Sequence, residues 1–222
     1  MTTVTTQTCT DRDLLALEPV IFLGSGLGTQ QLVAGASGQA AGTTFTAAGV
    51  DFVAAGVQAG MVLTTYNPAN GAAEGNAFEI VGVLSQTQLS VSVLRPTLSS
   101  PAVAPLPGGA SFLVRTYQPQ IQGVYDTLME RMRQLGELVG VDASAFADSP
   151  QLRLTLACGA LSSIYVTRAQ SSPLASDPNW VKAEHYKTEF ARLCKALRLT
   201  GADADGAVTM TRSLGNVMLR RA

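Results

Sequence analysis

The first half of the chain contains several short segments in which apolar residues alternate with polar ones. The clearest is QLSVSVL, where Leu89, Val91 and Val93 alternate with Ser90 and Ser92, and this pattern predicts a strand with one buried and one solvent-facing side. The stretch FEIVGVLS precedes it, and the short connection of Ser85, Gln86 and Thr87 predicts an antiparallel hairpin. Runs of β-branched and aromatic residues bounded by turn residues predict strands at residues 43–45, 61–66, 78–84, 88–94 and 111–117.

In the second half, apolar residues recur every three or four positions, which is the spacing of an amphipathic helix. One such helix is predicted at about residues 119–139. Two more are predicted to begin where a capping residue, Ser149 or Asp177, stands directly before a proline. A short helix that is capped by Thr10 and ended by Pro19 is predicted ahead of the strands. Because each helix alone would leave an apolar face in water, we expect the helices to pack together.

Charged residues are distributed very unevenly between these two halves. Only four of the 31 charged residues lie in the 95-residue stretch 20–114. This contrast favours an α+β fold, in which a small helical bundle carries an inserted antiparallel β barrel or sandwich module and ends in an extended C-terminal tail. The predicted division is an N-terminal bundle helix, a β module, a helical bundle and a docking tail, at residues 1–19, 20–117, 118–200 and 201–222.

Composition excludes several classes of protein. The chain is 46% hydrophobic, but its apolar stretches are too often interrupted to cross a bilayer, and MTTVTTQTCTDRD has no secretory signal. We therefore expect no membrane span and folding in a cytoplasm. The net charge of −1 argues against a dedicated nucleic-acid binder. The three scattered cysteines lack metal-ligand spacing and are predicted to be buried or idle thiols.

Candidate catalytic chemistry is sparse. His185, the one histidine, has no nucleophile motif around it, which disfavours a Ser-His-Asp enzyme. The glycines of FLGSGLGTQQ lack the spacing and the Lys of a phosphate-binding loop and favour a flexible loop. Asp51, Glu74 and Glu79 stand in ordinary turn and strand contexts, so no acid–base pair is assigned. We predict no catalytic residue, no metal site and no cofactor.

The last 22 residues lack helical spacing. Asp203, Asp205 and Gly206 are spaced like half of a calcium loop, but two expected acidic positions are missing, which favours a capped turn. Basic and apolar residues follow this turn. Such a segment fits a strand that adds to another protein's sheet, and it equally fits a frayed terminus. The residues are Arg212, Leu214, Val217, Met218, Leu219, Arg220 and Arg221.

The order of elements, from TDRDLLALEP through the β segment and three helices to DADGAVTMTRSLGNVMLRRA, resembles the head-to-tail adaptor (connector) proteins of long-tailed phages and gene transfer particles. In that family a small helical bundle ends in an extended tail after an Asp- and Gly-containing turn. The resemblance covers the helical half and both termini through short motifs. The β segment departs from the smallest family members, although DFVAAGVQAGMVL looks similar to barrel modules of other virion proteins.

The resemblance implies a non-enzymatic structural protein of the virion neck that is assembled in the bacterial cytoplasm. Copies would form a ring, usually of twelve, beneath the portal. The tail residues Arg212, Leu214, Val217, Met218, Leu219, Arg220 and Arg221 would bind the portal protein. The other side would receive a stopper or tail protein, and packaged DNA would pass through the ring with weak, nonspecific contacts.

Two alternatives stay open from the sequence. The first is another virion component, such as a capsid decoration or tail-associated protein, that binds through its β module. The second is a cell-wall or glycan hydrolase that uses Glu74 and Glu79.

Overall fold

The structure of the protein, a computed structural model, describes residues 9–23, 29–66, 75–104, 111–134, 149–169, 177–202 and 208–213. Within these residues the chain is mixed α and β, with four α-helices and a seven-stranded antiparallel sheet, which confirms the predicted α+β class in its coarse form. The chain divides into two compact units. The β unit spans Thr10–Gln118, and the helical unit contains the helices that follow.

The β unit begins with helix α1 (Asp11–Leu17) and a 3-10 turn (Pro19–Phe22). Neighbouring strands of its sheet are all antiparallel, and β1 and β2 form the two edges. The strands are β1 (Gln30–Gly35), β2 (Gly38–Ala41), β3 (Thr44–Ala47), β4 (Val62–Tyr66), β5 (Gly75–Ser85), β6 (Gln88–Ser92) and β7 (Ser111–Thr116), in the order β1-β7-β4-β5-β6-β3-β2.

The five predicted strands correspond to β3 to β7, with ends that differ by up to three residues. The predicted hairpin is confirmed, because β5 and β6 pair in antiparallel register around the turn at residues 86–87. Strands β1 and β2 were not predicted. Their sequences, QQLVAG and GQAA, are short and rich in Gly and Ala, which have low strand propensity.

The end of β6 departs from the predicted alternation. Leu89 and Val91 are buried as predicted, but Ser92 is fully buried and Val93 is exposed, so the prediction for these two residues was wrong. The cause is that β6 ends at Ser92. Its hydroxyl donates to the carbonyl oxygen of Val93 at 2.7 Å and accepts from the backbone N–H of Val103 at 2.8 Å. The buried hydroxyl is thereby satisfied, and the chain leaves the sheet.

Three phenylalanines form the centre of the β-unit core. Phe45 and Phe112 pack edge to face with centroids 5.0 Å apart, and Phe52 lies 6.5 and 6.2 Å from them. Gly38 permits this packing, since a Cβ atom there would lie 2.2 Å from the ring of Phe45. The core also contains Val33, Ala47, Val57, Met61, Leu63, Ile80, Leu89, Val91 and Val114.

Helix α1 lies within the β unit, whereas the sequence prediction grouped residues 1–19 with the helical bundle. As predicted, the helix begins after Thr10, whose backbone N–H donates to the carboxylate of Asp13 at 2.8 Å, and it ends before Pro19. The local signals determine where the helix starts and stops. They do not determine its partner, because a short apolar face packs on a sheet as well as on other helices.

The helices after the sheet are α2 (Gln118–Gln134), α3 (Pro150–Ala169) and α4 (Pro178–Ala196). Both predicted caps are confirmed. Ser149 Oγ accepts from the backbone N–H of Leu152 at 3.1 Å, and Asp177 accepts from that of Asn179 at 2.8 Å. The predicted extension of α2 to residue 139 lies outside the described residues. As far as the structure describes the helices, none combines the length and apolar composition that crossing a bilayer requires.

The chain after α4 forms a two-stranded antiparallel hairpin. Strand β8 (Arg198–Ala202) pairs with β9 (Val208–Ser213), and Thr200 lies opposite Thr211. The predicted tail was residues 201–222. Its residues 208–213 are paired with residues 198–202. The predicted boundary at 200/201 falls inside β8.

Gly159 allows close helix packing within the helical unit. A Cβ atom there would lie 2.6 Å from Cγ1 of Val124 and 3.0 Å from the ring of Phe190. We expect Gly159→Ala to lower the free energy of unfolding by about 1–3 kcal/mol, although alanine favours the helix by about 1 kcal/mol. In the control Gly123→Ala, the new methyl meets open space, so stability should rise by up to about 1 kcal/mol. Chemical denaturation measures both, and equal effects would contradict the packing argument.

Candidate functional site

Three charged side chains from separate segments meet inside the β unit. Arg12 Nε in α1 donates to Glu79 Oε2 at 3.1 Å, and Arg95 Nε, just after β6, donates to Glu79 Oε1 at 2.9 Å. Arg95 adds its backbone N–H to Oε2 at 3.2 Å and its Nη2 to Oε1. Glu79 is 1% exposed, and the two arginines are 7% and 9% exposed. Both carboxylate oxygens are thus paired with buried guanidinium groups.

Arg95 also fixes the loop that leaves β6. Its Nη1 donates to the carbonyl oxygens of Leu98 and Ser100, both at 2.9 Å. The two ends of this loop are joined, because the backbone N–H of Val93 donates to the carbonyl oxygen of Val103 at 3.0 Å. The segment between these valines is the Arg95 loop. A buried ion network therefore holds the backbone of this surface loop in place.

The first two residues of α1 bind the helix to the sheet. The backbone N–H of Arg12 donates to the carbonyl oxygen of Gly60 at 2.9 Å. The fully buried carboxylate of Asp11 accepts from the hydroxyl of Thr116 and the backbone N–H of Tyr117, both at 2.7 Å. Desolvation by burial raises the pKa of Asp11 to about 7, and these two hydrogen bonds oppose that rise.

The described part of the β unit exposes little charge. In the described part of residues 10–118, eight charged side chains are present and each is buried or half-buried: Asp11, Arg12, Asp13, Glu18, Asp51, Glu79, Arg95 and Arg115. The described helices α2 to α4 differ, because eight of their charged side chains are exposed: Asp126, Glu130, Arg131, Arg133, Glu184, Lys187, Arg192 and Lys195. The uneven distribution of charge along the sequence therefore corresponds to a difference in exposed charge between the described β unit and the described helices.

The described part of the β unit exposes several large apolar side chains. The loop patch consists of Val93, Leu98 and Val103 on the Arg95 loop, which are 45%, 51% and 54% exposed. The turn patch consists of Val53 and Leu84, which are 58% and 57% exposed. Leu17 and Val20 are also exposed.

The two patches lie at opposite ends of the β5–β6 hairpin. The loop patch begins directly after Ser92, which pairs with Glu79. The turn patch includes Leu84, next to the pair Ser85–Gln88 at the other end of β6. Val53 belongs to this end because its neighbour Phe52 donates its backbone N–H to the carbonyl oxygen of Gln86 at 2.7 Å. Gln88 and Ser92, at the two ends of β6, are four residue steps apart, or about 13 Å at about 3.3 Å per step.

The residues that the sequence singled out are scattered. His185 is exposed on α4 and contacts the ring of Tyr186, in agreement with a surface histidine. Glu79 was expected in an ordinary strand context and instead lies in the buried network, which leaves no carboxylate oxygen for acid–base work. Glu74 lies outside the described residues. Cys9, Cys158 and Cys194 are buried, as predicted, and desolvation raises the pKa of Cys158 to about 11.

The predicted tail site is described only at its start. Arg212 lies in β9, opposite Leu199. The other residues that were predicted to bind the portal protein, Leu214, Val217, Met218, Leu219, Arg220 and Arg221, lie outside the described residues, as do Asp203, Asp205 and Gly206 of the predicted turn. Among the residues that are described, no group of three or more His, Cys, Asp or Glu side chains is placed to hold a metal ion.

Sequence reasoning missed the buried network and both patches. A usable signal for the network was present, because a stretch with only four charged residues contains both Glu79 and Arg95. Charged residues that persist in such a stretch are candidates for a buried pair. No local signal marked the patches, since an exposed valine and a buried valine look the same in sequence.

Comparison of the chain with protein-family models, with curated proteins and with solved structures finds no match.

Proposed function

We propose that this chain is a non-enzymatic structural subunit of a tailed-phage particle, a head-to-tail adaptor that forms a ring between the portal and the tail or stopper proteins. The observation that carries the proposal is the surface of the β unit. Each of its eight described charged side chains is buried or half-buried, while seven large apolar ones are exposed. Such a surface fits a subunit that is covered by other polypeptides in its working state. The ring lies in the virion neck, and the genome passes through it.

We further propose that the sheet is the barrel or sandwich module and that α2, α3 and α4 form the bundle. The edge strands support the first part. Only Ala36 and Ser37 separate β1 from β2, so the two edges of the sheet come close together at this turn. Gly159 of α3 supports the proposed helical bundle. Because this residue has no side chain, Val124 of α2 and Phe190 of α4 can approach α3 closely.

The C-terminal segment is the proposed contact with the portal protein, and two truncations test it. A chain that ends at Ser213 keeps the β8–β9 hairpin and loses Leu214, Val217, Met218, Leu219, Arg220 and Arg221. A chain that ends at Gly201 also loses β9. Both should bind the portal protein of the same particle at least about tenfold more weakly, because the apolar and basic side chains are removed. Copurification measures binding, and circular dichroism verifies that the helices remain.

A second candidate function is a capsid decoration or tail-associated protein that binds through the β unit. The uncharged, apolar surface of that unit favours this candidate as well. The truncations separate the two candidates. If the chain ending at Ser213 still enters particles at the normal copy number, the portal contact is contradicted and the decoration role is favoured.

A further inference from the structure

Helix α1 is joined to the sheet at Gly60, where the packing leaves no room for a side chain. The φ angle of Gly60 is +85°, and a Cβ atom there would lie 2.9 Å from Cβ of Thr10, the residue that caps α1. The carbonyl oxygen of Gly60 accepts the backbone N–H of Arg12 at 2.9 Å, and its own N–H donates to Ile80 of β5 at 2.8 Å. The docked position of α1 therefore depends on this close approach to Gly60.

One side chain of α1 reaches from the docked helix to the Arg95 loop. Strand alternation places Glu79 on the face of the sheet opposite Ile80, which belongs to the phenylalanine core. On that face Arg12 donates its Nε to Glu79 at 3.1 Å and its Nη2 to the backbone carbonyl oxygen of Arg95. The guanidinium group of Arg12 therefore holds the start of the loop twice, once through the carboxylate and once directly.

The contacts that order the loop start from the residue that Arg12 holds. Arg95 donates its Nη1 to the carbonyl oxygens of Leu98 and Ser100, and Glu79 fixes the rest of its guanidinium group. The three charged side chains are each no more than 9% exposed, so they interact away from water. Departure of Arg12 would open Oε2 of Glu79 to water, and an ion pair that water screens holds its partners only weakly.

Helix α1 is too short to persist away from the sheet. It has seven residues, whereas an isolated helix of fewer than about 12–15 residues is marginal in water. Leu14 and Leu15 are 0% and 3% exposed, so packing stabilises the helix in its docked position. Undocking would therefore unfold α1 and withdraw Arg12 in the same event.

We infer that α1 acts as a latch for the Arg95 loop: helix and loop open together in one local event, and the loop is ordered only while α1 is docked. The latch sets whether Val93, Leu98 and Val103 are presented on a fixed loop. The inference goes beyond the proposed virion role and does not depend on it, because every contact that carries it lies within one β unit.

Gly60→Ala tests the latch without changing a residue of the ion network. The new methyl group would meet Thr10 and displace the start of α1. In the full-length chain, hydrogen exchange of the Val93 N–H, which donates to Val103, should accelerate by on the order of tenfold. The matched control is Gly49→Ala, because Gly49 has a similar φ of +80° and nothing within 4 Å of a Cβ atom. This control should leave exchange at Val93 as in wild type.

Loosening the loop tests the same coupling from its other end. Ser92→Ala removes the hydroxyl that accepts the backbone N–H of Val103. Because coupling between two sites is reciprocal, this variant should accelerate exchange of the Arg12 N–H in α1 and of the Val93 N–H by the same factor. The matched control is Ser85→Ala, which removes a hydroxyl acceptor at the opposite end of the hairpin and should leave exchange at Arg12 unchanged.

The inference fails if Gly60→Ala leaves exchange at Val93 unchanged, or if Ser92→Ala accelerates Val93 alone. It also fails if Val93 is as strongly protected as Ile80, whose N–H donates to Met61 within the sheet, because the loop would then open only when the whole β unit unfolds. Circular dichroism verifies that each variant is folded. If Gly60→Ala does not fold, the two serine variants decide the question, since they add no backbone strain. The truncations measure portal binding separately.

Discussion

Glu79→Gln is expected to lower the free energy of unfolding by about 3–5 kcal/mol, the usual cost of removing one partner from a buried ion network. The amide keeps the size of the side chain but removes its charge. The guanidinium group of Arg95 then loses the charge on Oε1, and that of Arg12 loses the charge on Oε2 and keeps the longer pair with Asp13 at 3.8 Å. Denaturation by urea at neutral pH measures the loss.

The matched control for this variant is Glu130→Gln. Glu130 forms an ion pair with Arg133 at 3.4 Å, but both side chains are more than half exposed. The control should cost no more than about 0.5 kcal/mol, because water screens a surface pair. Equal losses in the two variants would show that the buried network contributes no more than a surface pair.

Because Arg95 also fixes the carbonyl of Leu98, proteolysis of the Arg95 loop should increase in Glu79→Gln alone.

The stability of the protein should fall as the pH rises from about 4 to about 7, through the contribution of Asp11. Burial raises the pKa of this carboxyl group from 3.8 to about 7. In that window the unfolded chain has released the proton and the folded chain still holds it, so the free energy of unfolding decreases by about 1.4 kcal/mol per pH unit. The contribution is fully present below pH 4, totals about 4 kcal/mol, and is lost above the folded pKa.

Asp11→Asn removes this titration while preserving an acceptor for the backbone N–H of Tyr117. The asparagine amide can donate to the hydroxyl oxygen of Thr116, as a protonated carboxyl group would. Stability measured from pH 4 to pH 8 should therefore fall less steeply in this variant than in wild type. Asp126→Asn, at an exposed position of α2, should leave the wild-type slope unchanged. Parallel curves for wild type and Asp11→Asn would contradict the raised pKa.

The two predictions concern the same small region, where α1 meets the sheet. Asp11 binds the end of β7, and Arg12 binds Glu79 of β5. These contacts make the region a structural anchor between α1 and the sheet. The region also holds the Arg95 loop, which presents its apolar side chains at the surface.

The coarse class of the fold, the starts of the capped helices and the positions of five strands to within three residues follow from the sequence, because these depend on neighbours along the chain. A capping residue before a proline starts α3 and α4 wherever those helices pack. Alternation and a short turn determine the β5–β6 hairpin in the same way. The uneven distribution of charge was also visible, and with it the presence of two unlike halves. The resemblance to head-to-tail adaptors comes from these local features and stays a proposal.

Which distant residues meet follows from the folded chain. Arg12 and Glu79 are 67 positions apart, and Asp11 and Tyr117 are 106 apart, so no local pattern could join them. The same holds for Ser92 and Val93, whose burial departs from the predicted alternation where β6 ends and Val103 donates a hydrogen bond to the Ser92 hydroxyl. Local sequence fixes the backbone through short-range sterics and capping, whereas burial, pKa and exposed patches depend on what the folded chain brings alongside each side chain.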